Sequence, residues 1–434
     1  MSERLIIQNF AGLNVDLDIG EITIFIGPQA SGKSVCARCL YWFRSFFSDL
    51  TFGGEVGPDK RSMDALYLEG FKEYFPNLWQ TPADFSVRYE IGDAFAEVSQ
   101  EKKRLRLVYP SSIQIAAADL RTHLKSIKEK YTVASPKRAS RAILKQEEAE
   151  KSTLLDTWMY KVWDIMGGPP FIGQEFVIAG RSIFSALKGT LITFLSTTPV
   201  TDPLLRDFLR EYEFARREQP SPDDSHLKSL APLVEYIMKG RPVTRPDDDL
   251  LMLADGRQIS LTHASSGQQE AFPLILFLLS CLADMPKSIA HALYVEEPEA
   301  HLYPDSQWAI VRLMAGVFNL SLAESSSKLV ITTHSPYLLA TFNNLIRAQQ
   351  LADQFRDQPA KLKALYRVVP KNQHLALDTF RVYSLENGRA RSIISAEDGL
   401  IVADKLDEVS EKISQQFDKL LQLEANTAAD EKAS

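Results

Sequence analysis

The opening residues alternate between apolar and polar positions in a way that predicts strands. Val15-Asp16-Leu17-Asp18-Ile19 has period two, which puts one side on a core and the other in water. Leu5-Ile6-Ile7 and Ile22-Thr23-Ile24-Phe25-Ile26 are apolar almost throughout, and the second run predicts the buried centre of a sheet. Gly27 ends that run. From Ser34 to Phe47 the apolar residues Val35, Cys39, Leu40, Trp42, Phe43, Phe46 and Phe47 form the broad face of a helix. Phe85 to Val108 alternates again, as half-exposed strands do.

The pattern changes near Ala116. Arg121 to Lys145 holds eight Lys or Arg residues and one acid, Glu129, before the acidic Glu147, Glu148 and Glu150. Helical composition continues to about Trp163 with a break near Ser135-Pro136, and another helix is predicted from Pro203 to Glu218. Turn-rich breaks follow at 219–225 and 245–249. Strands return at Leu250–Leu253 and Ile259–Leu261 around a turn at Asp255-Gly256. The outline is sheet, helical insertion, sheet.

Composition narrows the class. With 434 residues and 45% hydrophobic content, the chain can bury a core, and it is not a disordered protein. Three cysteines make no disulfide framework, so a reducing, cytoplasmic setting is expected. A net charge of −7 excludes a wholly basic nucleic-acid coat and confines any DNA or RNA contact to a local patch, chiefly Arg121 to Lys145. No leader segment is expected after Glu3 and Arg4. The apolar run Ala271–Ala283 is too short to cross a bilayer, so no membrane partner is expected.

Gly27-Pro28-Gln29-Ala30-Ser31-Gly32-Lys33-Ser34 has the phosphate-loop spacing, between an apolar strand and a helix. Glycines let the backbone curl so that successive N–H groups point at phosphate oxygens beside the positive end of the helix. Gly27, Ala30, Ser31, Gly32, Lys33, Ser34 and Val35 are therefore the nucleotide-binding candidates, with Lys33 reaching the β- and γ-phosphates and Ser34 a ligand of Mg²⁺. Further on, the apolar strand Leu293-Tyr294-Val295 ends in Glu296-Glu297-Pro298-Glu299. Adjacent carboxylates at a buried strand end repel one another unless a cation or a reacting water offsets the cost. Glu296 is placed to hold Mg²⁺ and Glu297 to act as the base that orients attacking water. Ala264-Ser265-Ser266-Gly267-Gln268 precedes an apolar helix and makes a second anion-binding N-terminus, whereas Leu329–Thr333 is a strand closed by His334, a γ-phosphate contact.

The order and spacing of these residues resemble the ATP-binding-cassette (ABC-type) ATPase heads of the SMC/RecF kind. Within them the sequence is most similar to the bacterial branch of overcoming-lysogenization-defect (OLD-like) proteins and the ATPase subunits of anti-phage systems such as Septu. The resemblance makes Gly27–Ser34 Walker A, Leu293–Glu297 Walker B, Ser265, Ser266, Gly267 and Gln268 the signature, Glu299–Tyr303 the D-loop and His334 the switch histidine. It implies an α/β head with a mixed sheet, split by a helical insertion. Residues 1–115 and 246–395 form the two parts of the head, 116–245 the insertion and 396–434 a helical tail. Glu296 replaces the usual Asp and Tyr303 the D-loop Asp. Gln114 and Gln174 are candidates for the Q-loop glutamine. Arg181 of Ile178-Ala179-Gly180-Arg181 is either a nucleotide or partner contact or an ordinary surface residue.

Such heads bind ATP between two chains, which implies a homodimer or higher even-numbered homo-oligomer that uses ATP and Mg²⁺ to switch conformation. The chain after Leu345 is too short for the Toprim nuclease of OLD-type proteins, so a separate effector, a nuclease or a toxin, is the expected partner in an anti-phage system. The alternative is a DNA-repair type of ATPase acting directly on DNA ends or structures. Cys36 and Cys39 lie on the helix after the phosphate loop, where packing outweighs a metal site.

Overall fold

The computed structural model describes residues 2–52, 59–78, 83–133, 141–169, 171, 173–182, 202–217, 219–221, 223–245, 248–282, 290–322, 327–402 and 415–417. Strands β1 (Glu3–Phe10) and β2 (Leu13–Ile19) pair antiparallel with Leu5 opposite Leu17. With β4 (Phe85–Ile91), β5 (Ala94–Glu101) and β6 (Arg104–Val108) they make an antiparallel sheet ordered β2-β1-β4-β5-β6. Most of its apolar positions fall on one face, as the period of two demands, with Ile6, Phe95 and Val108 on the other. Val15, Leu17 and Ile19 of β2 are buried in alternation with exposed Asp16 and Asp18.

β3 (Ile22–Ile26) leaves that sheet and enters the centre of another, ordered β14-β13-β3-β12-β11-β7. The partners are β7 (Gly173–Val177), β11 (His291–Glu296), β12 (Lys328–Thr333), β13 (Phe380–Glu386) and β14 (Arg389–Ser392). All pairings are parallel except β13 with β14. The continuous apolar runs follow from burial on both sides. In β11, Ala292 and Tyr294 join one core with helix α1 (Lys33–Phe52), while Leu293 and Val295 join a second core on the opposite face. The parallel strands β3, β11 and β12 end side by side, which brings Gly27, Glu297 and His334 to one rim.

A buried charge cluster ties the two sheets. Glu3 of β1 accepts from Arg44 of α1 at 2.7 Å and from the Tyr89 hydroxyl at 2.5 Å, with Lys328 of β12 at 3.3 Å. Arg44 also donates to the Tyr294 hydroxyl at 2.8 Å. Both side chains of the Glu3–Arg44 pair are almost wholly withdrawn from water.

The range 116–245, expected as a mainly helical insertion, holds a strand of the central sheet as well as helices. Helices α2 (Lys60–Tyr74), α3 (Ser111–Val133) and α4 (Arg141–Met166) precede β7, and α5 (Pro203–Arg217) and α6 (Ser225–Met238) follow it. β7 itself lies inside the range and is an edge strand of the central sheet, with Phe176 beside Tyr294. Its five residues begin Gly-Gln-Glu, too short and too polar to announce a strand. β8 (Arg241–Thr244) crosses the boundary at 245 to pair with β9 (Asp249–Met252), which continues into β10 (Gln258–Ser260). Most of the tail assigned to 396–434 lies outside the described residues; within them Ile394 bridges Ile401. No helix among the described residues is long and apolar enough to cross a membrane.

Candidate functional site

The phosphate loop joins β3 to α1. Gly27 adopts a φ of +157°, and a Cβ there would stand 2.2 Å from the Leu385 carbonyl oxygen, so only glycine fits. Ala30 and Gly32 take positive φ as well, at 58° and 96°. The loop closes on Lys33, whose ammonium donates to the Gly27 and Pro28 carbonyls at 2.9 and 2.8 Å. Ser34 and Val35 follow in the first turn of α1, with Ser34 exposed. Burial pulls the Lys33 pKa down, opposed by the charges of Glu297, Glu299 and Glu296.

His334 stands between Lys33 and the Walker B end. Its Nδ1 lies 3.5 Å from Lys33 Nζ and its Nε2 lies 3.2 Å from Glu297 Oε1. Lysine is donor-only, so a bond between the two needs Nδ1 as acceptor, while Nε2 faces the Glu297 carboxylate. Glu297 has φ of +45° immediately before Pro298, a conformation that costs about 1–3 kcal/mol and is held by its N–H to the Thr332 carbonyl at 2.9 Å. Its half-exposed carboxylate turns toward His334.

Glu299, read from the sequence only as the start of the D-loop, has a further part. Its Oε1 accepts from the Thr333 hydroxyl and the His334 N–H, both at 2.7 Å, and so fixes the switch loop. The signal was its place two residues after Glu297. Glu296 accepts from the Ala179 N–H at 3.4 Å through Oε2. Its Oε1, together with Glu299 Oε2 and Ser31 Oγ, is buried without a hydrogen-bond partner. Orphaned oxygens around a phosphate loop suit a nucleotide and a hard cation, which takes oxygen ligands. Among the described residues no group of three or more His, Cys, Asp or Glu could hold a metal alone, so a cation here would draw on Ser34, Glu296, phosphate and water.

The signature lies elsewhere on the surface. Ser265 caps α7 (Ser266–Ser280) in a reciprocal capping box with Gln268. The Gln268 oxygen accepts from Ser265, and its amide donates to the Met238 carbonyl at 2.7 Å. Ser265 and Ser266 are exposed, whereas Gly267 is buried against the D-loop. A Cβ on Gly267 would meet the His301 carbonyl oxygen at 2.6 Å. The bonds of this turn run to Met238 and within the cap, among the described residues, and none joins it to the phosphate loop of the same chain.

Two glutamines proposed for the Q-loop are occupied in other ways. Gln114 donates to the Tyr109 carbonyl, and Gln174 joins Ser45 and Tyr294 under the sheet. Arg181 is not a surface residue: it is wholly buried among backbone carbonyls at the Walker B end. Burial drives the Cys36 thiol up to about 12 and lifts Cys39 well above the usual thiol range, which leaves both as packing groups. The basic face expected at 121–145 is partly spent on acids, since Lys130 pairs with Glu150 at 2.7 Å and Lys125 with Glu129 at 3.8 Å.

A phosphate loop on a parallel sheet, with carboxylates at the end of a strand two places away, defines a P-loop ATPase-type domain. The chain belongs to the family described as "AAA domain, putative AbiEii toxin, Type IV TA system", which matches residues 22–340. Comparison with curated proteins returns no match. Among solved structures, an SMC head bound to the C-winged helix domain of ScpA has 12% identity and a TM-score of 0.41, over 92% of this chain and 98% of that one. The SMC head domain from Thermotoga maritima has 10% identity and a TM-score of 0.37, over 90% and 98%. At these scores the likeness carries no argument about function.

Proposed function

We propose that this chain hydrolyses ATP at composite sites between two copies and uses the cycle as a conformational switch. The observation that supports the reading is the line of contacts from Lys33 through His334 to the Glu297 carboxylate, a group suited to act as base beside the phosphate loop. Glu297 orients and deprotonates the attacking water, and His334 holds that carboxylate and stands ready for the γ-phosphate. Ser34 and Glu296 would hold Mg²⁺, which would neutralise charge on the phosphates. Exposed Ser265 and Ser266, with the N-terminus of α7, bind the γ-phosphate of the partner copy; among the described residues no hydrogen bond joins them to the loop of their own chain.

The work of the switch is directed at a separate effector, a nuclease or toxin, in an anti-phage system. The family description prints the words toxin and TA system for proteins with this domain, and the separate effector is inferred from the resemblance alone. A direct role on DNA ends is the weaker reading, since lysines 125 and 130 of the basic stretch already face acids. ATP turnover measured with and without duplex DNA separates the two: stimulation by DNA favours the second. For the central reading, wild type is expected to release phosphate while Glu297→Gln keeps ATP and stops. Normal turnover by Glu297→Gln would remove the base assignment.

A further inference from the structure

Arg181 is one of the largest wholly buried side chains, and it touches three elements at once. Its Nε donates to the Glu270 carbonyl at 2.9 Å, on the first turns of α7. One terminal nitrogen donates to the Ile178 and Glu296 carbonyls at 2.9 and 2.8 Å, and the other to the Glu297 carbonyl at 3.2 Å. The Glu270 carboxylate, itself wholly buried, accepts from the Arg181 and Ser182 N–H groups at 3.1 and 2.8 Å. The segment after β7 is thus bolted to the signature helix on one side and to both Walker B glutamates on the other. The Ala179 N–H adds a fourth tie, to the Glu296 carboxylate.

An apolar contact would join these elements at lower cost, because burying an ion pair loses hydration that the pairing only partly returns. What a planar guanidinium adds is geometry: several donors in one rigid fork, which keep their acceptors in fixed relative positions. Glu270 lies three residues after Gly267, so any shift of the signature turn moves it as well. The same fork holds the carbonyl of Glu297, whose backbone is strained in the left-handed region.

We propose that Arg181 is a positioning residue that couples the signature turn to the Glu297 backbone, so that the two composite sites of a dimer act together. This rests on the composite-site reading above. In each copy the signature serves the partner's nucleotide and Glu297 serves its own. A nucleotide gripped in trans by Ser265 and Ser266 therefore sets the carboxylate in cis through Glu270 and Arg181. Coupling of this kind needs a physical element biased by both sites, and the Arg181 fork supplies one.

The test is steady-state ATP hydrolysis across nucleotide concentration, together with fluorescent-nucleotide binding, for wild type, Arg181→Lys and Glu270→Gln. Wild type is expected to give a Hill coefficient above one. Arg181→Lys keeps the charge and loses the fork; it should bind nucleotide normally, lose about ten- to a hundredfold in kcat, and show a Hill coefficient of one. Glu270→Gln keeps the size of the side chain and should shift both quantities the same way if Arg181→Lys does not fold. A merely structural loss would lower the active fraction and leave the Hill coefficient unchanged, and that outcome overturns the coupling. A non-cooperative wild type overturns it too, while the composite-site reading survives. If wild type does not hydrolyse ATP at all, the composite-site reading itself falls.

Discussion

Lys33 donates to two loop carbonyls and faces His334, so bound phosphate would replace contacts that already hold its ammonium. The net value of the lysine is then that of one charge-assisted bond, about 2 kcal/mol. Lys33→Ala is expected to weaken ATP binding by about thirtyfold, checked by titrating a fluorescent analogue. Glu297 differs, because its carboxylate points past the loop toward His334. Glu297→Gln should leave affinity within about twofold and lower kcat by about 10²–10⁴. Light scattering should then find a larger, ATP-dependent species accumulating. No such species would count against closure around ATP.

At the scale of the element, the N-terminus of α7 carries two demands. The capping box of Ser265 and Gln268 satisfies its leading N–H groups, and the same turn offers exposed serines to a second chain. Ser265→Ala should cost about 1 kcal/mol in urea denaturation through the lost cap. Gly267→Ala is harsher. The new methyl would press on the His301 carbonyl, and the D-loop turn, with His301 at φ +58°, would have to move. A cost of about 1–3 kcal/mol is expected, with hydrolysis reduced and binding by the isolated protomer retained. Unchanged turnover in Gly267→Ala would mean that contact between signature and D-loop does not matter to the reaction.

At the scale of the whole molecule, Glu3 is the hinge between two sheets. Burial alone would raise its pKa, but Arg44, Lys328 and the Tyr89 hydroxyl outweigh burial and hold it below the usual value of 4.5. A carboxyl with a lowered folded pKa contributes stability that is complete above its unfolded pKa and is lost as pH falls through the folded one. Denaturation curves should therefore weaken below about pH 4.5. Glu3→Gln, which leaves Arg44 and Lys328 buried without their counter-ion, should cost about 3–5 kcal/mol at neutral pH and flatten that acid limb. An acid limb unchanged in Glu3→Gln would assign it to other carboxylates.

Much of the site was legible because its chemistry is written in contiguous residues. The curl of Gly27 to Ser34, the carboxylates closing a buried strand and the cap before α7 are local demands that few residue types meet. The runs of β3, β11 and β12 announced a sheet buried on both faces for the same reason. What stayed hidden depends on partners far along the chain. β7 is a strand only because β11 offers it an edge, and Glu299 restrains the switch loop only because β12 ends beside it. Arg181 looks like any polar residue after a glycine until residues 270, 296 and 297 close around it. The sequence by itself determined the local turns of the candidate site, the curl of the phosphate loop and the cap before α7, since each is specified by contiguous residues within one turn. Only the tertiary structure decided how those turns are held against one another, because burial and the pairing of distant charges are properties of the packed chain.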